Sequence, residues 1–300
     1  MNPLNETKFE EHIAEYLASS ALYNQRTSAQ FDINNLVDKE MLEHFLQAQS
    51  ISWQKLQSHF PGRETDTVVA EINKLINRGE SFLTLFNKGF TIKGAKIRLM
   101  MPKPALDGPA SQNYQLYLSN RFSVVRQMRY STATEDRDNE IDLCILLNGL
   151  PLITVELKNE GTNQNYHNGI NQYRFNRSPI NRMLRNCLVH FVIDNCYAFM
   201  TTKLNGEHTR FLPFNRDSVN PPIEGEYPTA YMWQEIFQAD SLLDIIEHFI
   251  KRYKGDDGTP VVIFPRFHQL RAVRKMRKLA ATEGPGHNYL IQHSAGSGKT

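Results

Sequence analysis

Three charged residues stand inside two strongly apolar stretches of this chain. Asp142 interrupts the run 141–147, and Glu156 and Lys158 close the run 152–158. An ionised side chain pointing into a sheet costs several kcal/mol unless it is paired or binds a metal. Taken singly, each suits a solvated outer face. Together they have a chemical logic. Two carboxylates can hold Mg2+ through oxygen ligands, and the ion can lower the pKa of a bound water and polarise a phosphodiester. A lysine two residues beyond the second carboxylate projects from the same strand face. It can orient the attacking water or stabilise the charge that builds on phosphorus.

A second set closes the chain. Gly296-Ser297-Gly298-Lys299-Thr300 follows the apolar stretch 288–292, which reads as a strand. Backbone N–H groups of such a loop curl around phosphates at a helix N-terminus, the lysine reaches the β/γ oxygens and the threonine ligates Mg2+. A flexible glycine-serine turn is the bland alternative; the preceding strand and the Gly-Lys-Thr order favour the phosphate loop, with ATP as its ligand. The full pattern would place a glycine where His293 stands.

These residues need elements to hold them. Phe9, Ile13 and Leu17 predict a helix over 8–20, and Val68, Ile72, Leu75 and Ile76 predict another that ends at Gly79. From Leu83 the period changes to two: Leu83 and Leu85, Phe90 and Ile92, and Ile97-Arg98-Leu99 read as strands. Residues 123–130 read as a strand and 136–139 as a polar loop. Residues 141–147 and 152–158 then form a hairpin around the Asn148-Gly149 turn. A polar helix with Tyr166, Ile170 and Tyr173 follows, stopped by Ser178-Pro179, and 188–193 and 197–200 are further strands. A helix starting at Asp240-Ser241 is expected to bury Leu242, Ile245, Ile246, Phe249 and Ile250, and a basic helix follows Gln269.

Register sets a condition on the hairpin. A two-residue loop pairs residues whose numbers sum to 297 and sets Asp142 opposite Val155. Only an odd loop or a β-bulge brings Asp142 opposite Glu156.

Composition sets broad limits. The chain has 300 residues, 40% of them hydrophobic and 22% charged, enough to bury a core. No stretch reaches the roughly 20 apolar residues of a membrane helix, and the first residues lack a secretory signal. Cys144, Cys187 and Cys196 are too few for a disulfide framework or zinc site, so buried thiols in a cytoplasmic protein are expected. The formal charge is only +2, but residues 251–278 carry nine basic against two acidic side chains. That excess reads first as a solvated helix face, and would also suit a phosphate backbone.

The spacing Asp142-x13-Glu156-Leu157-Lys158 resembles the PD-(D/E)xK nuclease motif. Its surroundings are more specific. Glu140-Ile141-Asp142-Leu143, Asn148-Gly149-Leu150-Pro151-Leu152, Val155-Glu156-Leu157-Lys158-Asn159, Leu188-Val189-His190-Phe191, Phe211-Leu212-Pro213-Phe214-Asn215 and Ile263-Phe264-Pro265-Arg266-Phe267-His268-Gln269 resemble the restriction (R) subunit of type I restriction–modification enzymes. The resemblance runs from about Arg121 to Thr300, with a weaker match at Phe9-Glu10. It implies an α/β fold: a restriction-endonuclease-like mixed sheet flanked by helices, then the truncated start of a RecA-like superfamily 2 motor.

The implied domains are a nuclease domain over 1–253 (helical lead-in to about 80, core about 81–215, closing helices to 253), a linker over 254–260, and the start of an ATP-dependent translocase over 261–300. The resemblance implies Asp142 and Glu156 as metal ligands and Lys158 and Gln172 as further catalytic residues. The family's tyrosine four residues after the glutamine is replaced by Asn176, with Tyr173 beside Gln172 instead. Glu10 could match an acidic residue on the family's first helix, or be a solvated helix charge. Gln269, thirty residues before Lys299, would read the adenine edge.

The implied function is Mg2+-dependent cleavage of unmethylated double-stranded DNA after ATP-driven translocation, with methylation (M) and specificity (S) subunits as partners. ATP hydrolysis by this chain alone is not expected, and residues beyond about 260 are expected to be poorly anchored. A non-catalytic docking module, joining the motor to the methyltransferase core, is the alternative. A stand-alone ATPase is a third reading, disfavoured by the missing motor motifs.

Overall fold

The computed structural model describes residues 6–133, 139–159, 161, 163–255, 258 and 260–292. The expected polar loop at Asp136, Arg137 and Asp138 lies outside them, as do Gly296, Ser297, Gly298, Lys299 and Thr300.

The chain opens with α1 (Glu6–Ala18), which buries Phe9, Ile13 and Leu17 as their spacing predicts. A short strand, β1 (Tyr23–Thr27), follows at the edge of the main sheet; its Tyr-Asn-Gln-Arg-Thr sequence has no apolar alternation to betray it. Four helices complete the lead-in: α2 (Lys39–Ala48), α3 (Ser50–His59), α4 (Glu64–Asn77) and α5 (Phe82–Lys88). α5 overturns an expectation, since Leu83 and Leu85 are helical rather than extended. Ser81 caps the Thr84 amide, and Phe82, Leu85 and Phe86 reach the core at helical spacing. The period of two begins after Gly89, in the hairpin β2 (Phe90–Ile92) and β3 (Ala95–Ile97).

After α6 (Gln112–Leu118) come the strands of the central sheet: β4 (Phe122–Arg129), β5 (Glu140–Leu147), β6 (Leu150–Leu157), β7 (Val189–Ile193), β8 (Ala198–Thr201) and β9 (Leu212–Pro213). With β1 they form a seven-stranded mixed sheet in the order β1-β4-β5-β6-β7-β8-β9. Pairs β1/β4 and β6/β7 are parallel, the rest antiparallel. The parallel step from β6 to β7 carries α7 (Tyr166–Phe175) and α8 (Arg182–Asn186). All eight residues of β6 are buried, which is why the strand reads as a nearly continuous apolar run.

The two sheet faces are packed differently. His190 shares its face with Thr154, and Tyr173 of α7 bonds Thr154 there. Phe191, on the opposite face, lies edge-on to Phe214, Phe237 and Phe264.

The C-terminal third departs most from expectation. α9 (Ala239–Asp244) runs on into a π-helical turn at Ile245–Phe249, burying Leu242, Ile245, Ile246 and Ile250. The two ends of the expected linker, Lys254 and Pro260, pair with each other, as β10 (Lys251–Lys254) runs antiparallel to β11 (Pro260–Ile263). Phe264 then enters the core, and so do Phe267 and Leu270 of α10 (Phe267–Glu283). Arg274 and Arg277 bond Asp244. Residues 260–277 are therefore anchored, by aromatic burial and these ion pairs. Residues 288–292 form no strand and join no sheet among the described residues; Tyr289 donates to Glu283, and Leu290 is 92% exposed.

Candidate active site

The Asn148-Gly149 turn uses two residues with positive φ, 50° and 81°, and Leu147 faces Leu150. Asp38, the N-cap of α2, donates its amide to the Gly149 carbonyl at 2.8 Å. A Cβ on Gly149 would stand 2.2 Å from the Asp38 carbonyl, so only glycine fits. The first two pairs obey the two-residue register. Between Ile145 and Leu146 the register shifts, leaving Leu152 without an opposite residue, and Ile145 faces Ile153. This is a bulge, one of the two devices that bring Asp142 opposite Glu156. Continuing the ladder past Leu143 and Val155 sets Asp142 beside Glu156.

Glu156 is fully buried. Its Oε1 accepts from Nε of Arg177 at 2.8 Å and stands 2.7 Å from Nη2. Its Oε2 is buried with no hydrogen-bond partner. Asp142 is 9% exposed and accepts from the Leu157 amide at 2.6 Å. Lys158 is 5% exposed; its Nζ stands 3.8 Å from Asp142, 2.9 Å from Glu6 of α1 and 2.7 Å from the Leu157 carbonyl. Its backbone amide bonds the Ile193 carbonyl, extending the β6/β7 ladder to the lysine itself. Gly169 of α7 passes so close that a Cβ there would meet Val192 at 2.6 Å and the Lys158 Cγ at 3.5 Å.

The electrostatics follow from burial. Desolvation pushes the Glu156 carboxyl well above its ordinary range, and the like charge of Asp142 adds to this against the pull of Arg177 and Lys158. Asp142 is raised for the same first reason, offset by Lys158 and the Leu157 amide. Burial alone would lower Lys158, but Asp142, Glu6 and Glu156 outweigh it and hold its pKa up. The lysine is a cation here.

α1 contributes more than its apolar stripe revealed. Glu10 is buried rather than solvated, bonded by Arg126 at 2.7 Å and by Gln127 at 2.6 Å. Gln127 itself adopts φ 47°. Burial raises the Glu10 pKa, and Asp142 is among the charges that act on it. A signal existed: Glu10 precedes Ile13 by three residues and Leu17 by seven, on the flank of the buried stripe. Arg177 left no such signal, because it lies just past the end of α7 and outside its periodicity.

Gln172 is half-exposed on α7, and among the described residues its side chain makes no hydrogen bond to Asp142, Glu156 or Lys158. Its neighbour Tyr173 is the buried one, bonded to Thr154, which also bonds His190. Burial lowers the His190 pKa to about 3, so this network is neutral. Gln269 lies in the first turn of α10, where its Oε1 accepts from the Arg266 amide at 2.9 Å.

A divalent cation would fit Asp142 and Glu156. Glu156 Oε2 is buried and accepts from no protein N–H or O–H donor, the Glu156 and Asp142 carboxyls lie in contact, and hard cations take such oxygens. Among the described residues no group of three or more His, Cys, Asp or Glu side chains could hold a metal, so two carboxylates would be the whole side-chain contribution.

The family model for the type I restriction enzyme R protein N terminus matches residues 3–211. The chain belongs to this family. The matched segment takes in α1, all but the last two residues of the central sheet, and every residue of the hairpin site. A Methanocaldococcus jannaschii protein, provisionally named the type I restriction enzyme MjaVIIIP endonuclease subunit, is 25% identical over 287 residues, covering 89% of this chain and 25% of that relative. The chain thus spans about a quarter of that relative's length. Among the described residues no helix is long and apolar enough to cross a membrane.

Proposed function

We propose that the hairpin β5–β6 carries the Mg2+-dependent endonuclease centre of a type I restriction enzyme R subunit, cutting double-stranded DNA. The observation that carries this reading is the convergence of Asp142, Glu156 and Lys158 inside a buried sheet, with one Glu156 oxygen left without a partner. Asp142 and Glu156 would hold the ion. Bound there, it would supply an activated water and polarise the scissile phosphate. The chain's own part is to fix the two carboxylates side by side through the bulge, and to hold Lys158 as a cation beside them. Lys158 would then meet charge developing on the phosphoryl oxygens.

We further assign Gln269 and Gly296, Ser297, Gly298, Lys299 and Thr300 to the start of an ATP-driven, RecA-like translocase. In the assembled enzyme, partners would be the methylation and specificity subunits, acting on unmethylated DNA in the cytoplasm. Gln172 remains a candidate that could approach the substrate from α7. The competing reading, a docking module without catalysis, draws support from Arg177 and Lys158 already pairing with the two carboxylates.

Divalent-metal binding by the 300-residue chain separates the two. Calorimetry with Mn2+ should give one site that is lost in Asp142→Asn and in Glu156→Gln. No binding to the unsubstituted chain would favour the docking module.

A further inference from the structure

Arg177 is a buried cation that the expected chemistry does not use. It is 3% exposed, and both Nε and Nη2 converge on a single oxygen of Glu156. Nη2 also bonds the Glu140 carbonyl at 2.6 Å, and the guanidinium lies over the Tyr130 ring, 5.4 Å from its centroid. Three separate parts of the fold therefore fix this one side chain: the end of β4, the start of β5 and the end of β6.

We infer that Arg177 is a positioning residue for the metal. It commits Oε1 of Glu156 and would leave Oε2 as the oxygen free to take an ion. It also ties that carboxylate to the β5 backbone two residues from Asp142, which sets the spacing of the two ligands. A planar guanidinium can place one N–H on a carboxylate and another on a carbonyl while its face lies over a ring; an ammonium on a flexible stem cannot hold both bonds in a fixed plane. Partners that orient metal ligands in this way are typically worth about 10–100-fold in metal affinity. The inference rests on the reading of Asp142 and Glu156 as metal ligands.

The test is Mn2+ calorimetry on the full chain, joined to the Mg2+ dependence of DNA cutting in the assembled enzyme. R177Q should weaken Mn2+ binding about 10–100-fold and raise the Mg2+ concentration for half-maximal cutting in proportion. Its rate at saturating Mg2+ should stay within a few-fold of the unsubstituted enzyme, and R177K should recover part of the lost affinity. A merely structural prop would lower thermal stability without moving the metal constants. Unchanged Mn2+ affinity in both variants would overturn the inference. Tighter binding would overturn it too, by making Arg177 a competitor of the metal. If R177Q does not fold by circular dichroism, R177K decides alone: several-fold weaker binding supports the inference and equal affinity sinks it. If the unsubstituted chain binds no Mn2+, or E156Q binds it equally well, the metal reading itself has failed and the inference falls with it.

Discussion

The hairpin β5–β6 and the helix α10 both carry charge, and they treat it in opposite ways. In the hairpin, Asp142, Glu156 and Lys158 are nearly or wholly buried, and each is held by groups from other elements. On α10, Arg271, Lys275 and Lys278 are exposed and line one wall of an open cavity of about 760 Å3. Charge in water costs the fold little, so its position is free to drift. Charge inside a sheet is tolerated only with partners, so its position is fixed. The difference supports the proposal that the hairpin is the reactive region, and leaves α10 a solvated face with enough aromatic contact to stay docked.

The strongest way to break that contrast is at two glycines. Gly149→Ala should destabilise the chain by about 2–4 kcal/mol, combining strain at positive φ with a clash against Asp38. A Tm fall of roughly 5–10 °C would follow. Gly286→Ala, also at positive φ but in open space beyond α10, should lower Tm by no more than about 2 °C. Equal effects would show that the hairpin turn is not the tight joint described.

A smaller effect sharpens the contrast through pH. Asp142 has a raised pKa in the folded chain, so its carboxyl stabilises the fold at low pH and loses that contribution as pH rises through the raised value. Asp142→Asn should therefore stabilise the metal-free chain at pH 7.5 and raise its Tm. The gain should fade as pH falls toward the ordinary carboxylate range. Mg2+ should raise the Tm of the unsubstituted chain and not that of the variant. A variant less stable than its parent at every pH would mean the carboxylate is a structural partner and not a strained ligand.

The smallest effect belongs to α10. Lys275→Glu with Lys278→Glu should change stability by less than about 0.5 kcal/mol and leave Mn2+ binding untouched. A large loss in either measurement would erase the distinction between the two regions.

Much of the hairpin was legible in the sequence, because a strand buried on both faces makes any charge conspicuous. Asn148-Gly149 announced the turn, and bringing Asp142 opposite Glu156 required either an odd loop or a bulge, of which the chain has the bulge. The residue to be bulged was not legible; Leu152 differs from its apolar neighbours only in the pairing it lacks. Arg177 was hidden because its partner lies 21 residues away across a crossover. α5 was misread because Leu83 and Leu85 also fit a period of two, and only packing of Phe82 and Phe86 decides for the helix. The docking of α10 depends on Phe264 and Phe267 meeting Phe191, Phe214 and Tyr231, contacts no local pattern encodes.

The central claim is that the buried trio cuts DNA, and supercoiled plasmid carrying an unmethylated site tests it most directly. In the assembled enzyme, nicking and phosphate release are followed together for Lys158→Ala, with Lys299→Ala as the control for the motor. The account predicts that Lys158→Ala loses cutting by roughly a hundredfold or more while ATP turnover continues. Lys299→Ala should lose both. Cutting that persists in Lys158→Ala would place the nuclease centre elsewhere in the molecule.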